Sequence, residues 1–289
     1  MQAIIDFLTG IVTLGGHFDW GTVKQFLFDS TILQGTVVTL FLAVISQITG
    51  SIIGLILYLL RRSSLPVVRW FGEGYVWFFR GTPLLVQMFF LFNFFPIFGL
   101  VRPLRQSDFF PSLGLSSVLL ELFLPAFIAL SMNEGAYMAE IVRAGIDSID
   151  PGQLEAAKSL GMPYGLAMRR IILPQAARVI LPPLGNEFNS MLKTTSLAAT
   201  LGLVELYKAG ESLSTATARV LEIAVVLSAW YLLMTTLWGF VQQFIERRLN
   251  ASNTDIPPNA SLWQRLLGRQ PSGSPSDLVK ETLLSGGRR

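Results

Sequence analysis

Between Gly35 and Leu60 the chain carries no charged side chain, and the run is long enough to cross the hydrocarbon core of a bilayer as one helix. Ser46 and Gln47 are its only strongly polar interior residues, and Arg61-Arg62 form its stop. Four further intervals long enough to cross follow, at about Arg80–Leu100, Val118–Ile141, Leu184–Leu203 and Val220–Phe244, each with at least one charged residue. Charged residues make up only 14% of the chain, against roughly 25% in soluble domains. The mean hydropathy of +0.52 agrees. The expected fold is all-α: a polytopic membrane protein with five transmembrane helices.

The polar residues inside these spans set limits on packing. Asn133 and Glu134 in span three, and Asn186, Glu187, Asn189, Lys193, Thr194, Thr195 and Ser196 in span four, require protein or water around them. Span four therefore belongs inside the bundle. Pro83 and Gly81 predict a broken or kinked helix at the start of span two, after a surface-lying helix over about Ser63–Phe79. Val101–Ser117 and Glu205–Arg219 are expected as external loops. Residues 1–30 are read as an extracytoplasmic amphipathic lead-in, 31–249 as the transmembrane domain, and 250–289 as a disordered cytoplasmic tail with a short helix over Leu262–Leu267.

The long polar interval at 150–186 punctuates the spans. Asp150 is a good N-cap and Pro151 suits the first helical position. Gly161 supplies a left-handed residue to end that helix, Pro163 opens a second short helix, and Pro174 is expected to stop or kink it. Gly152, Lys158 and Ser159 partly fit a phosphate-binding loop, but Ala157 stands where its second glycine is needed and no strand precedes it. The chain itself is not expected to bind ATP. Most Lys and Arg residues fall at one side if this interval, Arg61–Phe79 and the tail share it, which predicts N-terminus out and C-terminus in.

Glu155-Ala156-Ala157, followed by Gly161, Ile171, Leu173 and Pro174, resembles the EAA signature of ATP-binding cassette (ABC) importer permeases. RGTPLLVQ from Arg80, NEGAYMAEIVRAGI from Asn133 and LKTTSLAATLGLVEL from Leu192 resemble phrases of the polar amino-acid subgroup, the histidine/glutamine/glutamate-type permeases. The resemblance implies a type I importer permease in a bacterial inner (plasma) membrane that does no chemistry itself. It implies separate ABC ATPase subunits holding ATP-Mg and docking on the EAA loop, and an extracytoplasmic solute-binding protein. It also implies a second permease, self or paralogue, to complete the path for an amino acid. An ATP-independent secondary transporter or channel would explain the intramembrane charges but not the EAA spacing.

The candidate substrate pathway comprises Gln87, Asn133, Glu134, Lys193, Thr194, Thr195 and Ser196, which offer the donors and acceptors a zwitterion needs. A lysine at mid-span costs roughly 2.5–3.5 kcal/mol to insert, so Lys193 needs an offset. Glu134, Glu140 or a substrate carboxylate would supply one, and snorkelling to the inner interface is a further route. The chain has no cysteine and one histidine, His17, leaving nothing for thiol chemistry, histidine catalysis or a metal site. The net charge of +3 is assigned to membrane topology and not to nucleic acid.

Overall fold

The computed structural model describes residues 18–97 and 117–250, and among these every regular element is helical. Residues 1–17 of the lead-in expected over 1–30, most of the Val101–Ser117 loop and the tail beyond Asn250 lie outside the described residues. The chain divides into two units, Met1–Leu249 and Asn250–Arg289, and the helical bundle belongs to the first.

Asp19 caps α1 (Trp20–Leu27), accepting from the Gly21 N–H at 2.7 Å and the Thr22 hydroxyl at 2.8 Å. Those bonds hold its carboxyl below the usual range, the Thr22 hydroxyl contributing most. Asp29 caps α2 (Ser30–Arg61), the first membrane-crossing helix. Then α3 (Pro66–Gly81) turns by 107° into α4 (Leu84–Ile97) across Thr82-Pro83. The expected break is there, but α3 continues past Arg80, so the described part of span two starts later than the sequence suggested. Next comes α5 (Ser117–Asp147). By length and composition α2 and α10 (Val220–Asn250) would each cross a membrane alone, with the bent α3–α4 pair as a third. The more polar α5 and α8 (Leu173–Thr194) complete the bundle from within.

The interval after α5 forms α6 (Pro151–Ser159) and α7 (Tyr164–Ala167), then a π-helical turn over Met168–Ile172 that runs directly into α8. Pro174 therefore does not stop the second arm; it lies in the first turn of α8. Leu173 N–H reaches back to Met168 O, a five-residue step, and this widened turn accommodates the donor that Pro174 lacks. Span four also differs from expectation: its α-helix ends at Thr194 and tightens into a 3-10 helix over Thr195–Leu201, closed by left-handed Gly202. The segment expected as an external loop from Glu205 is α9 (Leu206–Thr217).

The main core joins α2, α5, α8, the 3-10 helix, α9 and α10 through Ile32, Leu42, Leu130, Leu192, Leu201, Leu206 and Val226. Helices α2 and α5 pack along most of their lengths. They approach closely at Gly54, where an added Cβ would meet Met138 Cβ and, at 2.9 Å, the Ala139 amide nitrogen and the Met138 carbonyl carbon. Backbone atoms cannot step aside, so only glycine lets these helices meet; small residues serve this way in membrane helix packing generally. Gly54→Val should overpack the seam by about 1–3 kcal/mol. The expected readout is a lower thermal midpoint and lower yield of folded protein in detergent; an unchanged midpoint would contradict so tight a contact.

Candidate functional site

A cavity of about 290 Å³ opens between α4, α5 and α8. Asn133, Glu134 and Tyr137 enter from α5, Glu187, Ser190 and Thr194 from α8, and Leu84 from the start of α4. On α8 the lining residues Glu187, Ser190, Met191 and Thr194 follow helical spacing, so they share one face. Glu134 is 5% exposed and accepts from Gln47 Nε2 on α2 at 2.9 Å. Glu187 is half-buried on the opposite wall. Both helices thus bring a carboxyl group to the cavity, and among the described residues no Lys or Arg lines it.

The predicted pathway residues do not all meet here. Asn133, Glu134 and Thr194 line the cavity, and Gln87 stands behind Asn133, whose Nδ2 donates to Gln87 Oε1 at 3.1 Å. Thr195 is fully buried and returns its hydroxyl to Leu192 O. Thr194 and Ser196 likewise bond back to Ser190 O and Lys193 O. Hydroxyls at these positions satisfy backbone carbonyls where the helix changes register, a use that composition cannot separate from ligand binding. Lys193 and Ser196 border a different, open groove against Tyr207, Tyr231 and Thr235 on α9 and α10.

Lys193 is exposed and forms no ion pair with either expected partner. Glu134 binds Gln47, and Glu140 is taken by Arg61 at 2.5 Å and by Arg143 at 2.8 Å. Arg143 also reaches Asp147 at 3.1 Å, making a chain of charges at the shared end of α2 and α5. Sequence reasoning missed Glu187, Ser190 and Tyr137 as site residues. The i, i+3, i+7 spacing of Glu187, Ser190 and Thr194 was the available signal.

The hairpin sits at the same end as this charge chain. Asp150 accepts from the Gly152 N–H at 2.8 Å, and Gly161 ends α6 at φ +74°, with Met162 N–H donating to Ala157 O at 3.0 Å. That six-to-one bond is the Schellman closure, which glycine favours because it has no Cβ to strain. Of the signature residues, Ala157 is buried, whereas Glu155, Ala156, Gly161, Leu173 and Pro174 are exposed and Ile171 is half-buried. Leu154, Met168, Ile171 and Ile172 fix the hairpin to Tyr58 of α2 and Ile146 of α5. The outer side of α6 is left free, with Leu160 82% exposed.

A second polar cluster ties the opposite end together. Glu205, fully buried, caps α9 by accepting from the Lys208 N–H at 2.9 Å, and also accepts from Thr39 Oγ1 at 3.1 Å and Tyr231 OH at 3.3 Å. Thr39 Oγ1 in turn accepts from the Leu206 N–H at 3.1 Å. One hydroxyl thus holds α2 to α9. Thr39→Val keeps the shape but strands a buried N–H, at a cost of about 1–3 kcal/mol. A lowered melting temperature with unchanged apparent affinity for the transported solute is expected; a changed affinity would mean that this cluster touches the solute.

The family of binding-protein-dependent transport system inner membrane components matches residues 50–251. The arginine transport system permease protein ArgU of Corynebacterium glutamicum is 40% identical over 82% of this chain and 74% of its own length. The L-cystine transport system permease protein TcyB of Bacillus subtilis is 38% identical, over 83% of this chain and 94% of its own. Among solved structures, a crystal structure of an amino acid ABC transporter with histidines is similar at a TM-score of 0.68 and 33% identity. That match covers 80% of this chain and 99% of the other. The MetNI methionine ABC transporter, in an inward-facing conformation, shares the fold at a TM-score of 0.59 and 18% identity, over 76% and 96% of the two chains.

Proposed function

This chain belongs to the family of binding-protein-dependent transport system inner membrane components, and from that premise we propose how its geometry serves import. It is the multi-pass permease subunit of an ABC importer for polar amino acids, with the type I importer fold; it is not an enzyme, and ATP hydrolysis resides in a separate subunit. Our reading assigns passage of the amino acid to the cavity between α4, α5 and α8. The observation that carries it is that Glu134 and Glu187 both line a space that no described Lys or Arg lines. Where these carboxyls are ionised they favour ligands with net positive charge, so the solute class we assign is amino acids with a cationic side chain.

Replacing Glu187 by Gln removes one carboxylate and preserves volume. Uptake into vesicles carrying this permease, its ATPase and its binding protein should lose about tenfold for arginine and lysine, roughly the effect of one charge-assisted contact. Glutamine uptake should change far less. Equal loss for cationic and neutral amino acids would remove the charge-selection role.

We assign the free side of α6 to the ATPase subunit, which carries ATP-Mg, and the opposite end of the bundle to the solute-binding protein. A second permease, of this chain or a paralogue, completes the path. The hairpin then faces the cytoplasm, with the N-terminus outside and the tail of residues 250–289 inside, as the distribution of Lys and Arg favours. Glu155→Lys reverses a charge on the exposed face, and Gly161→Asp strains the turn. Both variants should insert and fold while losing co-purification of the ATPase. Lys158 should react with an impermeant amine reagent only in inverted vesicles. Retained ATPase binding in both variants, or labelling of Lys158 from outside, would contradict the docking assignment.

A further inference from the structure

The elbow between α3 and α4 has unusual chemistry for a bend at membrane depth. Pro83 has no N–H, so Phe79 O loses the partner that a continuing helix would give it. Two side-chain amides take its place: Gln87 Nε2 at 3.0 Å and Asn133 Nδ2 at 2.9 Å. Gln87 Nε2 also lies within reach of Thr82 O at 3.1 Å and Thr82 Oγ1 at 2.8 Å, and Gln87 Oε1 accepts from Asn133. Gln87 is 5% exposed. These amides form a clasp joining α3, α4 and α5 at a single carbonyl.

The clasp stands between two spaces. On one side lies the polar cavity, whose wall includes Asn133 itself and Leu84, the first residue of α4. On the other is a largely apolar cavity of about 300 Å³ bounded by Phe78, Phe79, Val86, Phe90 and Met132. Val86 and Phe90 on its rim are 58% and 64% exposed, so this space opens at the surface of the described bundle and the elbow can change angle on that side without displacing a packed core. We propose that Gln87 and Asn133 are positioning residues that set the α3–α4 angle, and that this angle opens and closes the α4 wall of the solute cavity. This inference rests on the reading of that cavity as the passage site. A solute competing for the Asn133 amide would loosen the clasp from the cavity side, linking occupancy to the bend.

The chain contains no cysteine, so spin labels can be placed without removing native thiols. Val67, in the first turn of α3, and Ile97, at the end of α4, are 76% and 77% exposed and suit a label pair. Because α4 has 14 residues and spans about 21 Å, a change of roughly 20° would move its far end by about 7 Å. In the assembled transporter carrying V67C and I97C with the clasp intact, the label distance should shift between nucleotide-free and vanadate-trapped states. Gln87→Leu in that background should broaden the distribution and remove the shift. In uptake it should lower maximal rate about tenfold with KM within about twofold, the pattern of a lost conformational step. Gln87→Asn, with a shorter amide, should recover part of the rate. An identical label distance in both states with the clasp intact would overturn the proposal, whatever the variants do. So would Gln87→Leu with an unchanged distance distribution. If Glu187→Gln fails to alter selectivity while the distance still shifts, the passage reading fails and the moving elbow stands.

Discussion

In hydrocarbon there is no water to satisfy a backbone N–H or C=O left without a partner, and that single constraint governs the irregularities in this bundle. Among the described residues the chain departs from straight α-helix at several places, and at three of them side chains supply the replacement hydrogen bonds. At the α3–α4 elbow, the Gln87 and Asn133 amides serve Phe79 O. In the 3-10 helix after α8, the hydroxyls of Thr195, Ser196 and Thr200 return to carbonyls three residues back. At α9, Glu205 and Thr39 take up the first N–H groups of the helix. The π-helical turn before α8 differs, because there the backbone completes itself through Leu173 N–H and Met168 O.

The same rule sorts the charges. Glu140, Arg61, Arg143 and Asp147 neutralise one another at the hairpin end, where partial exposure keeps the desolvation penalty modest. Glu205 and Glu222 each accept backbone N–H groups at the other end. Glu134 and Glu187 are different, because among the described residues no Lys or Arg lines the cavity that they share. A carboxyl group held within a bundle without a cation beside it avoids the cost of a buried charge by taking up a proton or by meeting a cation that approaches it. Their place at the cavity separates them from the partnered carboxylates at the two ends.

Much of this was legible beforehand because it follows from local rules. The Asp150 cap, the Gly161 turn and the break at Pro83 are properties of a few adjacent residues, and they appear where the sequence placed them. What escaped depends on neighbours distant in the chain. Thr195 and Ser196 read as solute contacts because sequence cannot tell a hydroxyl aimed at a ligand from one folded back onto its own helix. Glu140 was a plausible partner for Lys193, but Arg61, 79 positions away, holds it. Pro174 suggested a stop because the π-helical turn that accommodates it leaves no mark in composition.

That turn also has a mechanical consequence. Because the second arm of the hairpin is continuous with α8, the segment bearing Leu173 and Pro174 and the face bearing Glu187, Ser190 and Thr194 belong to one continuous helix, with Pro182 and Pro183 between them. A displacement of the hairpin need not pass through a chain of side-chain contacts to reach the cavity. It is carried by helical backbone, and Pro182 and Pro183, which each remove a ladder hydrogen bond, are where that helix can bend on the way. The first arm is a separate short helix, ended by a glycine in open space and held to the bundle through Leu154. A movement of either arm would therefore reach the bundle by a different route, one through packed side chains and the other through continuous backbone.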